Sequence, residues 1–198
     1  MRLWPEPALA NLLDDSLSAD LARDGAITPA MTQRFLDLAS YARRGGADAI
    51  LFTCSAFGPC IDAVKAANRD IPVLKPNEAM IDAALEAAPS GRIGLLATFA
   101  ATLPSMRPEF EAAAATRGVT LTLEEACAPS ALAALDAGDG AAHDREATRA
   151  AAALSGAEVI ALAQFSLSRA AQAVGEATGR RVLTTPDSAV MRLRVLLS

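Results

Sequence analysis

The chain of 198 residues is poor in aromatic side chains, which make up 4% of it, and it contains a single histidine and three cysteines. So few aromatic rings, against 52% hydrophobic residues dominated by alanine, argue against an aromatic-rich β-sandwich and favour closely packed helices. An odd number of irregularly spaced cysteines does not describe a disulfide framework. No cluster of His, Cys and carboxylates recurs at ligand spacing, so no metal site is expected. The net charge of −5 and the lack of any Lys/Arg run leave no footprint for nucleic acid. No stretch approaches the roughly 20 apolar residues of a membrane span. Pro5, Glu6 and Pro7 stand where a signal peptide would have its apolar run, and the chain reads as cytoplasmic. Nucleotide-binding glycine loops and the G-x-S-x-G serine elbow are missing as well.

What the chain does contain is a repeat. GADAILFTCSA (46–56) aligns without a gap on GAEVIALAQFS (156–166), an offset of 110 residues. At that offset Pro76 falls on Pro186, Ala79 on Ala189, and Leu13-Asp14-Asp15 on Leu123-Glu124-Glu125. Short apolar runs alternate with longer segments of helical period, the signature of βαβ units around a parallel sheet. Strands are expected at 8–13, 49–53, 72–74, 92–97, 119–123, 159–163 and 181–184. Helices are expected at 29–44, 58–68, 78–88, 104–117, 128–137, 141–155, 167–178 and 188–197. The fold class is thus α/β, with two pseudo-symmetric lobes each holding a parallel sheet flanked by helices. The first lobe is expected at 1–80 plus 188–198, the second at 81–187. The counterpart of 91–102 would fall before Met1, so the first lobe is expected to lack its opening strand.

In parallel sheets, ligands sit beyond the carboxyl ends of the strands, where N–H groups of the next helix converge. Thr53-Cys54-Ser55-Ala56 occupies such an end, after an apolar strand. A thiol there faces the positive end of a helix, which favours its thiolate. Cys54 is therefore the candidate reactive group. Its matched position in the second half is Gln164, within Ala163-Gln164-Phe165-Ser166. Cys60 and Cys127 read as core thiols, His143 as a surface residue and Lys75 as a solvated edge residue.

The segment Gly-Ala-Asp-x-Ile-x-x-x-Cys-Ser, followed by a second such unit, resembles the aspartate/glutamate/hydantoin racemase superfamily, which includes maleate isomerase and arylmalonate decarboxylase. The resemblance covers nearly the whole chain. It implies an enzyme without cofactors that binds a small carboxylate or amino acid in a cleft between its lobes, and a homo-oligomer of two or more copies. Two cysteines on opposite faces would exchange the proton on the carbon beside the carboxylate. Such a step needs donors for the developing enediolate. Backbone N–H groups of Ser55-Ala56 and Phe165-Ser166, with the hydroxyls of Thr53, Ser55 and Ser166, are candidates. The family's turn after the strand at 92–97 contributes hydroxyls to the substrate carboxylate, here Thr98 and Thr102, though Thr102 also suits a helix cap. Asn77 fits either a substrate contact or a helix N-cap.

Gln164 breaks the two-cysteine pattern, because a carboxamide is neither an acid nor a base near neutral pH. The expected activity is a racemase or isomerase acting through Cys54. The alternatives are a malonate-type decarboxylase with one cysteine, or a non-catalytic ligand-binding protein on the same scaffold.

Overall fold

A computed structural model describes residues 4–198, which divide into two compact units. One runs up to Pro76 and includes Val190–Ser198; the other is Asn77–Ala189.

The first unit contains α1 (Ser16–Asp24), α2 (Pro29–Arg44), β1 (Ile50–Leu51), α3 (Gly58–Ala67) and β2 (Val73–Leu74). Helix α2 starts where its sequence dictates. The Thr28 hydroxyl accepts from Met31 N at 3.2 Å, and Pro29 takes the first helical position, where no N–H is needed. Its buried face is Met31, Phe35 and Ala39, spaced one turn apart. Phe35 packs against Phe52 and Phe57, with ring centroids 5.3 Å and 5.1 Å away, so three of the chain's six phenylalanines meet in one small core. The sheet is a parallel pair with Ile50 opposite Val73 and Leu51 opposite Leu74.

The second unit contains α4 (Glu78–Ala87), β3 (Arg92–Ala97), α5 (Thr102–Arg117), β4 (Thr122–Cys127), α6 (Pro129–Asp136), α7 (Gly140–Ala151), β5 (Val159–Leu162), α8 (Ala171–Thr178) and β6 (Arg181–Thr184). Helix α9 (Thr185–Leu197) begins in this unit and ends among residues of the first. Its four strands are all parallel, in the order β4-β3-β5-β6. Beyond Arg92, which is exposed at the start of β3, the two central strands carry no polar side chain and are buried, because both of their faces are covered. Ile93, Leu95, Ala97, Val159 and Ala161 point to one core, against Met80, Leu85, Met106 and Phe110. Leu96, Ile160 and Leu162 point to the other, against Ala131, Ala147, Leu154, Leu167 and Val174. Each fully buried large side chain contributes roughly 1.5–3 kcal/mol by leaving water. Gly94 breaks the run of large residues for a reason: a Cβ there would lie 3.1 Å from Leu154 and 3.2 Å from Ala157.

The architecture is α/β with parallel sheets flanked by helices. Under the repeat, β1 and β2 correspond to β5 and β6, while no strand among the described residues of the first unit corresponds to β3 or β4. The expected strand at 8–13 is absent. That segment is irregular, with Leu9 88% and Leu13 83% exposed, because no neighbouring strand offers it hydrogen bonds. The strand expected at 119–123 instead runs Thr122–Cys127, in register with β3 from Arg92 opposite Thr122 to Ala97 opposite Cys127. Residues 16–24, to which the sequence pattern assigned no element, form α1. Its N-terminal flank is tied down by Arg34, which bonds Asp14, Ser16 and Asp20. Residues 165–170 form a 3₁₀ turn that precedes α8.

Candidate functional site

The two strand ends marked by the repeat are built differently. In the first unit, β1 stops at Leu51 and the chain continues extended through Cys54 (φ −123°, ψ 120°) into a 3₁₀ turn, Ser55–Phe57, and then α3. Phe57 is buried under Phe35 and anchors this turn, whereas Thr53, Cys54 and Ala56 are exposed and Ser55 is half-buried. Cys54 is a free, exposed thiol. Cys54 occupies the cap position of this turn and makes no side-chain capping bond. Lys75 reaches this region: its Nζ lies 3.9 Å from where a Cβ on Gly58 would be, and it bonds Asp62 at 2.8 Å. Lys75 is therefore a half-buried, ion-paired residue rather than a freely solvated one. Cys60 is fully buried, with its sulfur 3.4 Å from the Thr32 hydroxyl, and Cys127 is partly buried at the end of β4.

In the second unit, β5 stops at Leu162, and Gln164 leads into the turn Phe165–Ala170. The Gln164 carboxamide is held by two threonines. Thr98 N donates to its Oε1 at 2.8 Å and Thr98 Oγ1 donates to the same atom at 3.2 Å. Gln164 Nε2 donates to Thr102 Oγ1 at 3.4 Å. Thr98 and Thr102 are buried, 1% and 9% exposed, and Gln164 is half-buried. Thr102 is the first residue of α5 rather than its cap, a position that falls to Ala101. The structure thus brings Thr98, Thr102 and Gln164 together. Phe165 is half-buried beside them in sequence and Ser166 is exposed; neither side chain joins that network.

Asn77 precedes α4 at the cap position, but its side chain makes no capping bond, and its buried Nδ2 has no partner among the described residues. Thr185, which the repeat matches to Lys75, is fully buried with its hydroxyl likewise unpartnered. Sequence reasoning passed over Thr185, although its place at the end of β6 was a usable signal.

His143 corrects the sequence reading. It is fully buried on the face of α7 that also carries Ala147 and Ala151, one and two turns on. Its Nδ1 is 2.8 Å from Asp144 Oδ1, which also accepts from Arg169 Nε at 2.8 Å. Burial raises the Asp144 pKa, but the bonds from Arg169 and His143 outweigh it and hold the carboxyl below the usual aspartate range. This cluster borders a shallow groove lined by Asp144, Arg145, Thr148, Arg149 and Ala173, which contains none of the strand-end residues. Among the described residues, no group of three or more His, Cys, Asp or Glu is arranged to hold a metal ion. No helix of the described residues is long and apolar enough to cross a membrane.

A parallel α/β fold, with sheets flanked by helices, defines the class. Within that class, a family model for Asp/Glu/hydantoin racemases matches residues 10–193, and the chain belongs to that family. Among solved structures it is similar to the glutamate racemase isoform RacE1 from Bacillus anthracis, with a TM-score of 0.61 at 15% identity over 85% of this chain and 66% of that one. Arylmalonate decarboxylase gives a TM-score of 0.61 at 17% identity, over 84% of this chain and 76% of that one. Allantoin racemase from Klebsiella pneumoniae gives 0.61 at 20% identity, over 84% and 66%. The chain thus spans just under two thirds of the length of either racemase. No curated protein matches it at a significant level.

Proposed function

We propose that the protein is a cofactor-independent enzyme acting at the carbon beside a small carboxylate, with Cys54 as its single acid and base. The observation carrying this reading is a free, exposed thiol at a strand–helix junction of a racemase-family chain, whose matched position in the repeat is a glutamine. The Cys54 thiolate would take the proton from that carbon, the C–H electron pair passing into an enediolate, and the same sulfur would return a proton. The N–H groups of Ser55 and Ala56 and the hydroxyls of Thr53 and Ser55 are the nearest donors in sequence for the developing charge.

With one titrating group, removal and return occur on the same face. Solvent deuterium should then enter one enantiomer with retention, while racemisation stays slow. The same residues suit a second reaction, which the glutamine favours. In a malonate-type acid the C–CO₂ bond breaks, its electrons form the enediolate, and Cys54 delivers the proton. Arylmalonate decarboxylase, among the similar structures, bears the name of that chemistry.

The test is mass-spectrometric: deuterium uptake and CO₂ release across a panel of amino acids, dicarboxylates, aryl malonates and allantoin. Cys54→Ala should abolish turnover, a loss on the order of 10²–10⁴ for a positioned proton-transfer group. Turnover that survives Cys54→Ala would mean that another residue carries the chemistry. Binding without exchange or CO₂ release would leave a ligand-binding protein on a racemase scaffold.

A further inference from the structure

A carboxamide can be turned either way, but here its orientation is forced. Thr98 N–H can only donate, so the atom 2.8 Å from it must be the Gln164 oxygen, and the Thr98 hydroxyl adds a second donor to that oxygen at 3.2 Å. The backbone explains why that oxygen is wanted. Ala163 N donates to Leu96 O at 2.9 Å as the last backbone rung between these strands, and the next N–H on the β3 side is that of Thr98. The side-chain oxygen of Gln164 takes the place of a backbone carbonyl for a residue that is 1% exposed.

With Oε1 committed inward, Nε2 lies at the other end of the amide. One of its two hydrogens goes to Thr102 Oγ1, at a long 3.4 Å, and the other has no partner among the described residues. Thr102 acts as acceptor in that bond and so keeps its own hydroxyl hydrogen to give. Thr102 also opens the sixteen-residue helix α5, whose N-terminus carries partial positive charge. Two hydrogens, one on Nε2 and one on Thr102 Oγ1, are thus available side by side in a polar array that contains no carboxylate.

We propose that Gln164 is a substrate-orienting donor: Thr98 locks its amide so that Nε2 and the Thr102 hydroxyl together take one oxygen of the ligand's carboxylate or of the enediolate formed from it. This rests on the carboxylate reading above. A thiol at this position would supply an exchangeable proton, whereas an amide N–H holds negative charge and stays bonded. The substitution therefore exchanges acid–base capacity for fixed electrostatic support.

The experiment measures malonate binding by calorimetry, in a Cys54→Ala background where nothing turns over. Gln164→Glu is nearly isosteric, and its inner oxygen still accepts both Thr98 donors, so its Tm should be equal to or above that of the parent. Its outer atom, however, becomes a negatively charged acceptor. Malonate binding should fall roughly tenfold or more, and Thr102→Val should weaken it similarly while Thr102→Ser restores it. Tighter binding in Gln164→Ala would show the amide to be an internal stand-in for the ligand, and would overturn the proposal. Unchanged binding in Gln164→Glu, or no malonate binding by the parent, would overturn it too. If malonate binding follows the prediction but the unmodified protein shows neither exchange nor CO₂ release, only the catalytic reading falls.

Discussion

Strand β5 is hydrogen-bonded on both edges, to β3 and to β6, and all four of its residues are buried; its counterpart β1 is bonded only to β2, and both of its residues are half-buried. The sequences are close in character, Ile50-Leu51 against Ile160-Ala161, so the difference comes from what lies alongside. A second neighbour lets helices cover both faces of the larger sheet and generates two cores. With one neighbour, the first unit gathers one smaller core around Phe35, Phe52 and Phe57 and ties its N-terminal segment to α2 through Arg34. The matched strand-end side chains follow the same division. Cys54 sits exposed on the sparser scaffold, and Gln164 is locked into the denser one.

The largest consequence should appear in the cores. Phe110 is completely buried between α5 and the sheet, and Phe110→Ala should cost about 3–5 kcal/mol. Phe35→Ala should fall at or below the lower end of that range, because the half-buried Phe52 beside it can relax into the space. Urea denaturation of the two variants compares them directly. Equal losses would mean that the smaller core is packed as tightly as the larger one.

Hydrogen exchange should sharpen the same contrast strand by strand. The amide of Ala163, bonded to Leu96 O between the two central strands of the larger sheet, should exchange roughly a hundredfold more slowly than that of Phe52, bonded to Leu74 O. Similar rates at the two sites would show that the two-stranded sheet opens only with the whole molecule.

These differences set what could be read from sequence. Elements with local signals emerged at their true bounds: α2, with Thr28 and Pro29 before it and Gly45 after it, and β3, which follows Gly91. A Cβ on Gly91, at φ +73°, would run into the Thr120 carbonyl. Elements that depend on distant partners did not. The apolar 8–13 segment has strand composition but no strand to join, and α1 depends on Arg34, 14 residues beyond Asp20 and 20 beyond Asp14. Strand β4 was misplaced because it carries Glu124 and Glu125, tolerable only at a sheet edge, where Arg107 pairs with Glu125 at 2.9 Å. The matched strand ends at Cys54 and Gln164 were legible because the repeat marks them. That Gln164 is bound by Thr98 and Thr102 was not, since those residues lie 66 and 62 positions away. His143 was misread as a surface residue for a related reason: its burial is set by the face shared with Ala147 and Ala151, where alanine gives little hydrophobic contrast.

The smallest effect contrasts two ion-pair clusters, one in each unit, as pH falls. Asp14 and Asp20 are held below the ordinary aspartate range chiefly by hydrogen bonds from Arg34, in solvent. Asp144 is lowered too, by Arg169 and His143 working against burial, and its side chain is 26% exposed beneath a fully buried histidine. A carboxyl whose pKa is lowered by folding contributes stability above its unfolded-state value and loses it as pH drops through the folded one. Each cluster should therefore leave stability level near neutrality and let it decline below the ordinary aspartate pKa. Solvent and salt screen the Arg34 cluster more, so Asp14→Asn should have little effect that survives high salt. Asp144→Asn should cost about 1 kcal/mol at neutral pH, persisting in salt and shrinking toward zero in acid. Thermal melts of both variants across pH and ionic strength would measure this, and a salt-sensitive Asp144→Asn effect would place that carboxylate among the exposed pairs instead.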